Sequence, residues 1–121
     1  MDEPVLQPIY DLETPRMAFG RVAIIGDAAF VARPHVGAGV SKACEDVTAL
    51  VNAVASDDVE PGLLKFEAQR LAVGRRIIER ARHLGAYLQA TQTEAERAHA
   101  GRYSTAQAVI VETALVDFLD A

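Results

Sequence analysis

The sequence contains few of the residues that build disulfide frameworks, metal centres or nucleic-acid surfaces. It has a single cysteine and three histidines in 121 residues, which excludes a disulfide framework and leaves no cluster of thiolates for zinc or iron–sulfur. Its formal net charge is −5, whereas nucleic acids and anionic membranes select proteins with a surplus of Lys and Arg. We therefore expect a small or neutral ligand, no metal site, and neither nucleic acid nor membrane as a partner.

Long hydrophobic runs are also missing from the sequence. No apolar stretch approaches the ~20 residues that span a bilayer, and residues 1–4 have neither the basic flank nor the apolar core of an export signal. The lone cysteine agrees with a reducing compartment, so the expected location is cytoplasmic. Half of the residues are apolar, which is enough for one small packed core.

The residue pattern predicts an α/β fold, with two or three short strands followed by two long helices. Residues 5–12 are rich in strand formers, and Pro8 within them indicates an edge strand because proline cannot donate to a ladder. The apolar run at 22–25 is too short for a helix and stops at Gly26, which predicts a buried strand. We expect residues 1–90 to form the main unit and residues 91–121 a C-terminal arm or short helix.

Hydrophobic periodicity predicts both helices. The first is expected to begin between residues 36 and 40, and its core-facing stripe contains Val40, Ala43, Cys44, Val47, Leu50, Val51 and Val54. The second is expected to begin near Pro61 and to reach about Gln89. Its apolar stripe contains Leu64, Ala68, Leu71, Ile78, Ala81 and Leu88. Gly74 and Gly85 lie on the same stripe, where their small size would let another backbone approach the helix closely.

The remaining candidate groups favour structural roles. Cys44 is expected to be an inert, buried thiol on the first helix, and His83 and His99 are expected at the surface. The arginines between residues 70 and 82 are expected to form a solvated face that pairs with acidic neighbours.

The residues between the predicted buried strand and the first helix carry the chemical signal. Asp27 directly follows the strand, at the edge where sheets of this kind bind ligands, and its carboxylate can accept hydrogen bonds from hydroxyl groups. Gly37 and Gly39 open the helix, whose free N–H groups favour electron-rich atoms. The same pattern is also a common crossing from strand to helix, so the residues alone leave a ligand site and simple turn chemistry open.

The run GRVAIIGDAAFVARPHVGAGVSKACEDVTAL, residues 20–50, resembles the second flavin motif of the FAD-dependent aromatic hydroxylases, the class of para-hydroxybenzoate hydroxylase. The run FEAQRLAVGRRIIERARHLGAYLQ, residues 66–89, is similar to the C-terminal helix of the subgroup typified by 2,6-dihydroxypyridine 3-monooxygenase. The resemblance covers residues 5–90 and implies the C-terminal part of an FAD-binding domain.

This resemblance implies a role for each residue of the motif. Asp27 would hold the ribityl hydroxyls of FAD, and Pro34 would line the isoalloxazine ring near the substrate. The backbone at Gly39, Val40 and Ser41, after the turn at Gly37, would contact N1 and O2 of the ring. His35 is a candidate for contact with the substrate. Phe30 and Arg33 depart from the residues of many relatives without removing a flavin contact.

The resemblance also implies an activity, in which NAD(P)H reduces FAD and an electron-rich aromatic or hydroxypyridine substrate is hydroxylated. The sequence contains no Gly-x-Gly-x-x-Gly run for the FAD pyrophosphate, so we expect the isolated chain to bind FAD weakly and to be inactive. One alternative is a non-catalytic module that self-associates as a homo-oligomer or pairs with an N-terminal half. Another is related flavin chemistry, since reductases and epoxidases carry a similar Gly-Asp motif.

Overall fold

Four short strands precede three helices in the computed structural model of the protein, which describes residues 5, 7–56, 58–86, 91–102, 105–108 and 110. The strands are β1 (Leu12–Glu13), β2 (Ala18–Phe19), β3 (Val22–Ala23) and β4 (Phe30–Val31). The helices are α1 (Gly39–Ser56), α2 (Val59–Gly85) and α3 (Glu94–Arg102). The expected α/β class is confirmed, with α1 beginning inside the predicted window.

The strands form two small antiparallel pairs, β1 with β4 and β2 with β3. The prediction of a buried strand at 22–25 is wrong, because β3 has only two residues and Val22 is 61% exposed. Its one strand partner among the described residues is the neighbouring hairpin strand β2. Among the described residues of the expected edge strand at 5–12, only Leu12 belongs to a strand.

The β2–β3 hairpin is fastened to α2 by Glu67. Its Oε2 accepts hydrogen bonds from the N–H groups of Met17 at 2.6 Å and Ala18 at 2.7 Å. The bond from Ala18 holds the pKa of Glu67 below its ordinary value of 4.5, and the bond from Met17 and the charge of Arg16 act in the same direction against the effect of burial. The carboxylate therefore stabilises the hairpin in its ionised form.

We expect Glu67→Gln to lower the free energy of unfolding by about 1–3 kcal/mol near neutral pH, because an amide oxygen accepts weaker hydrogen bonds than a carboxylate. Since the folded-state pKa is lowered, the advantage of Glu67 is complete above the unfolded value of 4.5 and disappears as pH falls through the folded value. Urea unfolding of both proteins, at neutral pH and at a pH below the folded-state pKa of Glu67, measures how the difference in their free energies of unfolding depends on pH. Glu79→Gln, the same change at an exposed position of α2, is the control, and a pH-independent loss in Glu67→Gln would contradict the assignment.

Helix α1 packs with the opposite face from the one that its sequence predicts. Most of the predicted core stripe lies at the surface: Val40 is 81% exposed and Val51 is 55% exposed, and Cys44 is exposed as well. Of the other predicted residues, Ala43 and Leu50 are part-buried, and Leu50 packs against the core. The face toward α2 holds part-buried Ala49 and Ala53 together with buried charged side chains. The prediction fails because α2 and the turn at Gly26–Ala28 pack against the other side of α1. We call the exposed residues Val40, Cys44, Val47, Val51 and Val54 the valine stripe.

Helix α2 supplies most of the core, through a face rotated from the predicted one. Leu64 and Ala68 are exposed, whereas Leu63, Phe66 and Ile77 are buried with the expected Ile78, Ala81 and the two glycines. A Cβ on Gly74 would lie 2.5 Å from the ring of Phe30, so the close approach at this glycine is made by a side chain of β4. Phe30 joins Met17, Ala29, Phe66 and Ile78 in the central cluster.

The described part of the arm begins with a capped helix. The N–H of Thr93 donates to Glu96 Oε2 at 2.7 Å, and the N–H of Glu96 donates to Thr93 Oγ1 at 3.2 Å, which is a capping box at the start of α3. The predicted end of α2 at Gln89 and most of the apolar run after residue 108 lie outside the described residues. The division at residue 90 stays a prediction. None of the described helices is long and apolar enough to cross a membrane.

Candidate functional site

The segment between β3 and α1 is held in two short 3-10 turns, Gly26–Ala28 and Pro34–Val36. Gly26 has a φ of 59°, a left-handed conformation that favours glycine, and its carbonyl accepts a hydrogen bond from the N–H of Ala29 at 3.2 Å. Asp27 is the central residue of the first turn, and its side chain is exposed. The second turn ends at Gly37, with a φ of 65°.

Helix α1 begins with three open donors. Its first helical hydrogen bond runs from the N–H of Lys42 to the carbonyl of Ala38 at 2.9 Å, so the N–H groups of Gly39, Val40 and Ser41 precede the helical ladder. Ala38 has no side chain that could cap them, and the Ser41 hydroxyl donates to the Ala38 carbonyl at 3.1 Å. Within the part of the chain that the structure describes, no side chain caps this helix N-terminus, and its dipole favours an electron-rich or anionic group there.

Asp27 and the start of α1 face the same open cavity. The cavity has a volume of about 650 Å³ and is lined by Asp27, Gly39, Val40, Ala43, Cys44 and Val47. Its walls are mainly apolar, and both the Asp27 residue and the start of α1 belong to its lining. This suits a flat, largely apolar ring that carries a hydroxylated chain, since the ring would meet the valines and the N–H groups while the chain would meet Asp27.

Pro34 lies on a different cavity. That cavity measures about 640 Å³, and its lining joins Pro34 to the segment before β1: Gln7, Pro8, Ile9, Tyr10, Val31, Ala32 and Pro34. Arg33 fixes the start of the second turn, because its Nε lies 3.2 Å from Asp11 Oδ1 while Arg82 of α2 holds the other oxygen at 3.1 Å. The structure thus brings Asp27, Gly39 and Val40 together on one cavity and places Pro34 on the other.

The other predicted site residues are partly described. The backbone of His35 lies in the second turn, but its side chain is outside what the structure describes. Gly37 and Ser41 are exposed and adjoin the start of α1. Cys44, expected to be buried, lines the cavity at the surface instead. The described residues include no cluster of His, Cys, Asp and Glu that could hold a metal ion.

Sequence reasoning missed the charged residues behind the first turn. Lys42, Asp46 and Arg70 are buried together, and Arg70 was expected on a solvated face. Asp46 Oδ1 accepts from Arg70 Nε at 2.6 Å. A signal was present, since Lys42 and Asp46 stand four residues apart on one helical face and opposite the valines, but nothing in the spacing shows that this face is covered. Arg75 and Arg82 do pair with acidic neighbours at the surface, as expected.

Comparison with known proteins points to one cofactor. The sequence family described as FAD binding domain matches residues 9–81. The 2,6-dihydroxypyridine 3-monooxygenase of Paenarthrobacter nicotinovorans is 33% identical over 87 residues, 71% of this chain and 22% of that enzyme. The 3-amino-4-hydroxybenzoate 2-monooxygenase of Streptomyces cremeus is 38% identical over 82 residues, 63% of this chain and 20% of that enzyme. The chain thus spans about a fifth of the length of these two relatives.

A solved structure has a similar fold over most of this chain. The 2,6-dihydroxypyridine-3-hydroxylase from Arthrobacter nicotinovorans superposes with a TM-score of 0.63 and 31% identity, covering 70% of this chain and 22% of that one. These matches confirm the resemblance drawn from residues 20–50 and 66–89, and the partial α/β fold that it implied.

Proposed function

We propose, from the premise that the chain belongs to the FAD binding domain family, that its cavity at Asp27 and α1 is the flavin half of an FAD site in an aromatic-ring monooxygenase. The observation that carries this proposal is the pairing of a carboxylate and an uncapped helix N-terminus on one apolar cavity. Asp27 would accept hydrogen bonds from the ribityl hydroxyls. The N–H groups of Gly39, Val40 and Ser41 would face N1 and O2 of the ring.

The residues fit the electronic demands of a flavin as well as its shape. Reduction places negative charge near N1 and O2, and a helix N-terminus with open N–H groups stabilises such charge. FAD, when bound, supplies the electron transfer and the activation of oxygen. The chain contributes position, an apolar wall and the exclusion of water from one side of the ring.

The cavity beside Pro34 would take the aromatic substrate, and His35 precedes α1 on the same turn as Pro34. Its lining is mainly apolar, with the Tyr10 hydroxyl and the Gln7 amide as polar groups, which suits a small ring with hydroxyl substituents. The relatives act on a dihydroxypyridine and on an aminohydroxybenzoate. We therefore propose an electron-rich aromatic or hydroxypyridine substrate, with NAD(P)H as the electron donor.

The chain carries only one half of the cofactor site. Its sequence has no Gly-x-Gly-x-x-Gly run for the pyrophosphate, so the chain alone should bind FAD weakly and turn over nothing. The test is FAD binding by equilibrium dialysis, with and without a separately produced FAD-binding N-terminal segment of a relative. We expect weak binding by the chain alone, tight binding by the pair, and NAD(P)H oxidation only by the pair. A chain that adds nothing to the FAD affinity of the N-terminal segment would refute the proposal.

A second candidate is a non-catalytic module that associates through the surface of α1. The valine stripe favours it, because five apolar or weakly polar side chains along one helix are exposed, and such surfaces are typical of interfaces. On α2, Gly74 and Gly85 are buried inside the chain, whereas Leu64 of the same predicted stripe is exposed. The stripe begins at the flavin cavity, so an N-terminal half that covers it would also close that cavity.

We expect Val51→Lys to weaken self-association at high protein concentration, because a charge in the middle of the valine stripe must be desolvated in any interface that covers it. The folded chain should lose little stability, since Val51 is 55% exposed. Sedimentation velocity measures the change. Asn52→Lys adds the same charge at an exposed position beside the stripe and serves as the control. Equal association of the two variants would show that the stripe is not the contact surface.

A further inference from the structure

Both polar groups of the Gly26 backbone are held by side chains of α1. The Gly26 N–H donates to Asp46 Oδ2 at 3.0 Å, and the Gly26 carbonyl accepts from Lys42 Nζ at 2.8 Å. The Gly26 carbonyl also accepts from the Ala29 N–H at 3.2 Å, whereas the Gly26 N–H has a charged side chain in place of the usual backbone partner. The turn that presents Asp27 is thereby fastened to the first two turns of the helix whose N–H groups are open.

Three charged side chains make this connection, and they are almost completely buried. Lys42 and Asp46 are 2% exposed and Arg70 is 5% exposed. Arg70 Nε lies 2.6 Å from Asp46 Oδ1, and Lys42 Nζ lies 3.5 Å from Asp46 Oδ2. Burying charges in this way adds little net stability, because desolvation offsets their attraction. It does restrict the turn to one position against the helix.

We propose that Lys42, Asp46 and Arg70 are positioning residues, which set the Asp27 carboxylate at the distance from the N-terminus of α1 that one flavin spans. None of the three lines the cavity, so they act through Gly26. Lys42 and Asp46 hold Gly26 directly, and Arg70 from α2 orients Asp46. This inference rests on the proposed flavin site and adds to it the residues that align its two sides.

Binding of two simple flavins distinguishes a displaced Asp27 turn from a general loss of folded structure. Riboflavin carries the ribityl chain, whereas lumiflavin has the ring alone, so the ratio of their Kd values reports the contact of Asp27 with the chain. A turn that has moved away from α1 loses the ribityl contact while the ring still meets the helix. A general loss of structure weakens both flavins alike.

The test is Lys42→Met, which removes the bond to the Gly26 carbonyl and leaves Asp46 paired with Arg70. In flavin fluorescence titrations of the 121-residue chain, we expect wild type to prefer riboflavin by roughly tenfold or more, as one charge-assisted hydrogen bond allows. In Lys42→Met the preference should fall to about twofold, with lumiflavin binding nearly unchanged. Lys65→Met, the same change at an exposed lysine of α2, is the control and should keep the wild-type preference.

Distinct failures lead to distinct conclusions. A preference retained in Lys42→Met, or equal weakening of both flavins, overturns the positioning role and leaves the flavin site in place. A wild-type chain that binds flavins with no preference contradicts the proposed site itself, and this inference with it.

A second measurement requires no variant and decides the matter if Lys42→Met does not fold. The Gly26 amide should exchange its hydrogen as slowly as amides in the middle of α1, because its acceptor is a buried carboxylate. A Gly26 amide that exchanges as fast as an unprotected one shows that the turn is not fastened to α1 in solution. That result overturns the proposal.

Discussion

Replacing Asp46 by alanine is expected to lower the free energy of unfolding by about 3–5 kcal/mol, the cost of removing one partner from a buried ion pair. The substitution leaves the Lys42 ammonium and the Arg70 guanidinium close together without an anion between them, at 2% and 5% exposure. It also removes the acceptor of the Gly26 N–H. Since a small domain has a total stability of about 5–15 kcal/mol, the variant should be close to unfolding at ambient temperature.

Urea unfolding followed by circular dichroism measures this loss. Glu45→Ala is the matched control, because Glu45 also binds Arg70, with 3.1 Å between its Oε2 and NH2, but its side chain is 45% exposed. A half-exposed ion pair contributes about 0–1 kcal/mol, so the two neighbouring carboxylates should differ severalfold in their effect. Equal, small losses in both variants would show that the cluster is open to solvent.

The local features of the fold could be predicted from the sequence. The start of α1 follows from a change of hydrophobic period after Gly37 and Gly39, which needs only neighbouring residues. The same is true of the turn at Gly26, which ends an apolar run and presents Asp27. Asp27 and Gly39, which the motif assigns to a flavin, line one cavity, and their contact with the cofactor stays a prediction.

The direction in which each helix faces could not be predicted. Periodicity shows which side chains share a face of α1, but it does not show what covers that face. In this chain the core-forming side of α1 is the one with Lys42 and Asp46, and the valines are exposed. A stripe of valines that is apolar by composition and exposed in the fold is typical of a surface that meets another polypeptide.

Contacts between residues far apart in the sequence could not be predicted either. Arg70 lies 24 residues from Asp46, and Glu67 lies 50 residues from Met17, and no local rule joins them. Gly74 appeared to admit another backbone, yet the group that approaches it is the Phe30 ring. Each of these contacts arises because α1 and the short strands pack on α2, which depends on the fold of the whole chain.

Asp27→Ala is expected to weaken flavin binding by about ten- to a hundredfold, since a charge-assisted hydrogen bond contributes about 1.5–3 kcal/mol. Asp27 is exposed on the cavity wall, and the structure gives its side chain no part in the hydrophobic core. Its removal should therefore leave the free protein as stable as before. Asp27→Asn keeps an acceptor without the charge, so its affinity should fall between those of wild type and Asp27→Ala.

The most direct test of the flavin site is the FAD dissociation constant of wild type, Asp27→Asn and Asp27→Ala, with the melting temperature of each protein without FAD. Asp58→Ala, at an exposed aspartate before α2, controls for the loss of one negative charge. The site described above predicts affinities in the order wild type, Asn, Ala, unchanged binding in Asp58→Ala, and nearly equal melting temperatures for wild type and both Asp27 variants. An Asp27→Ala protein that binds FAD as tightly as wild type would contradict the assignment of this cavity to flavin.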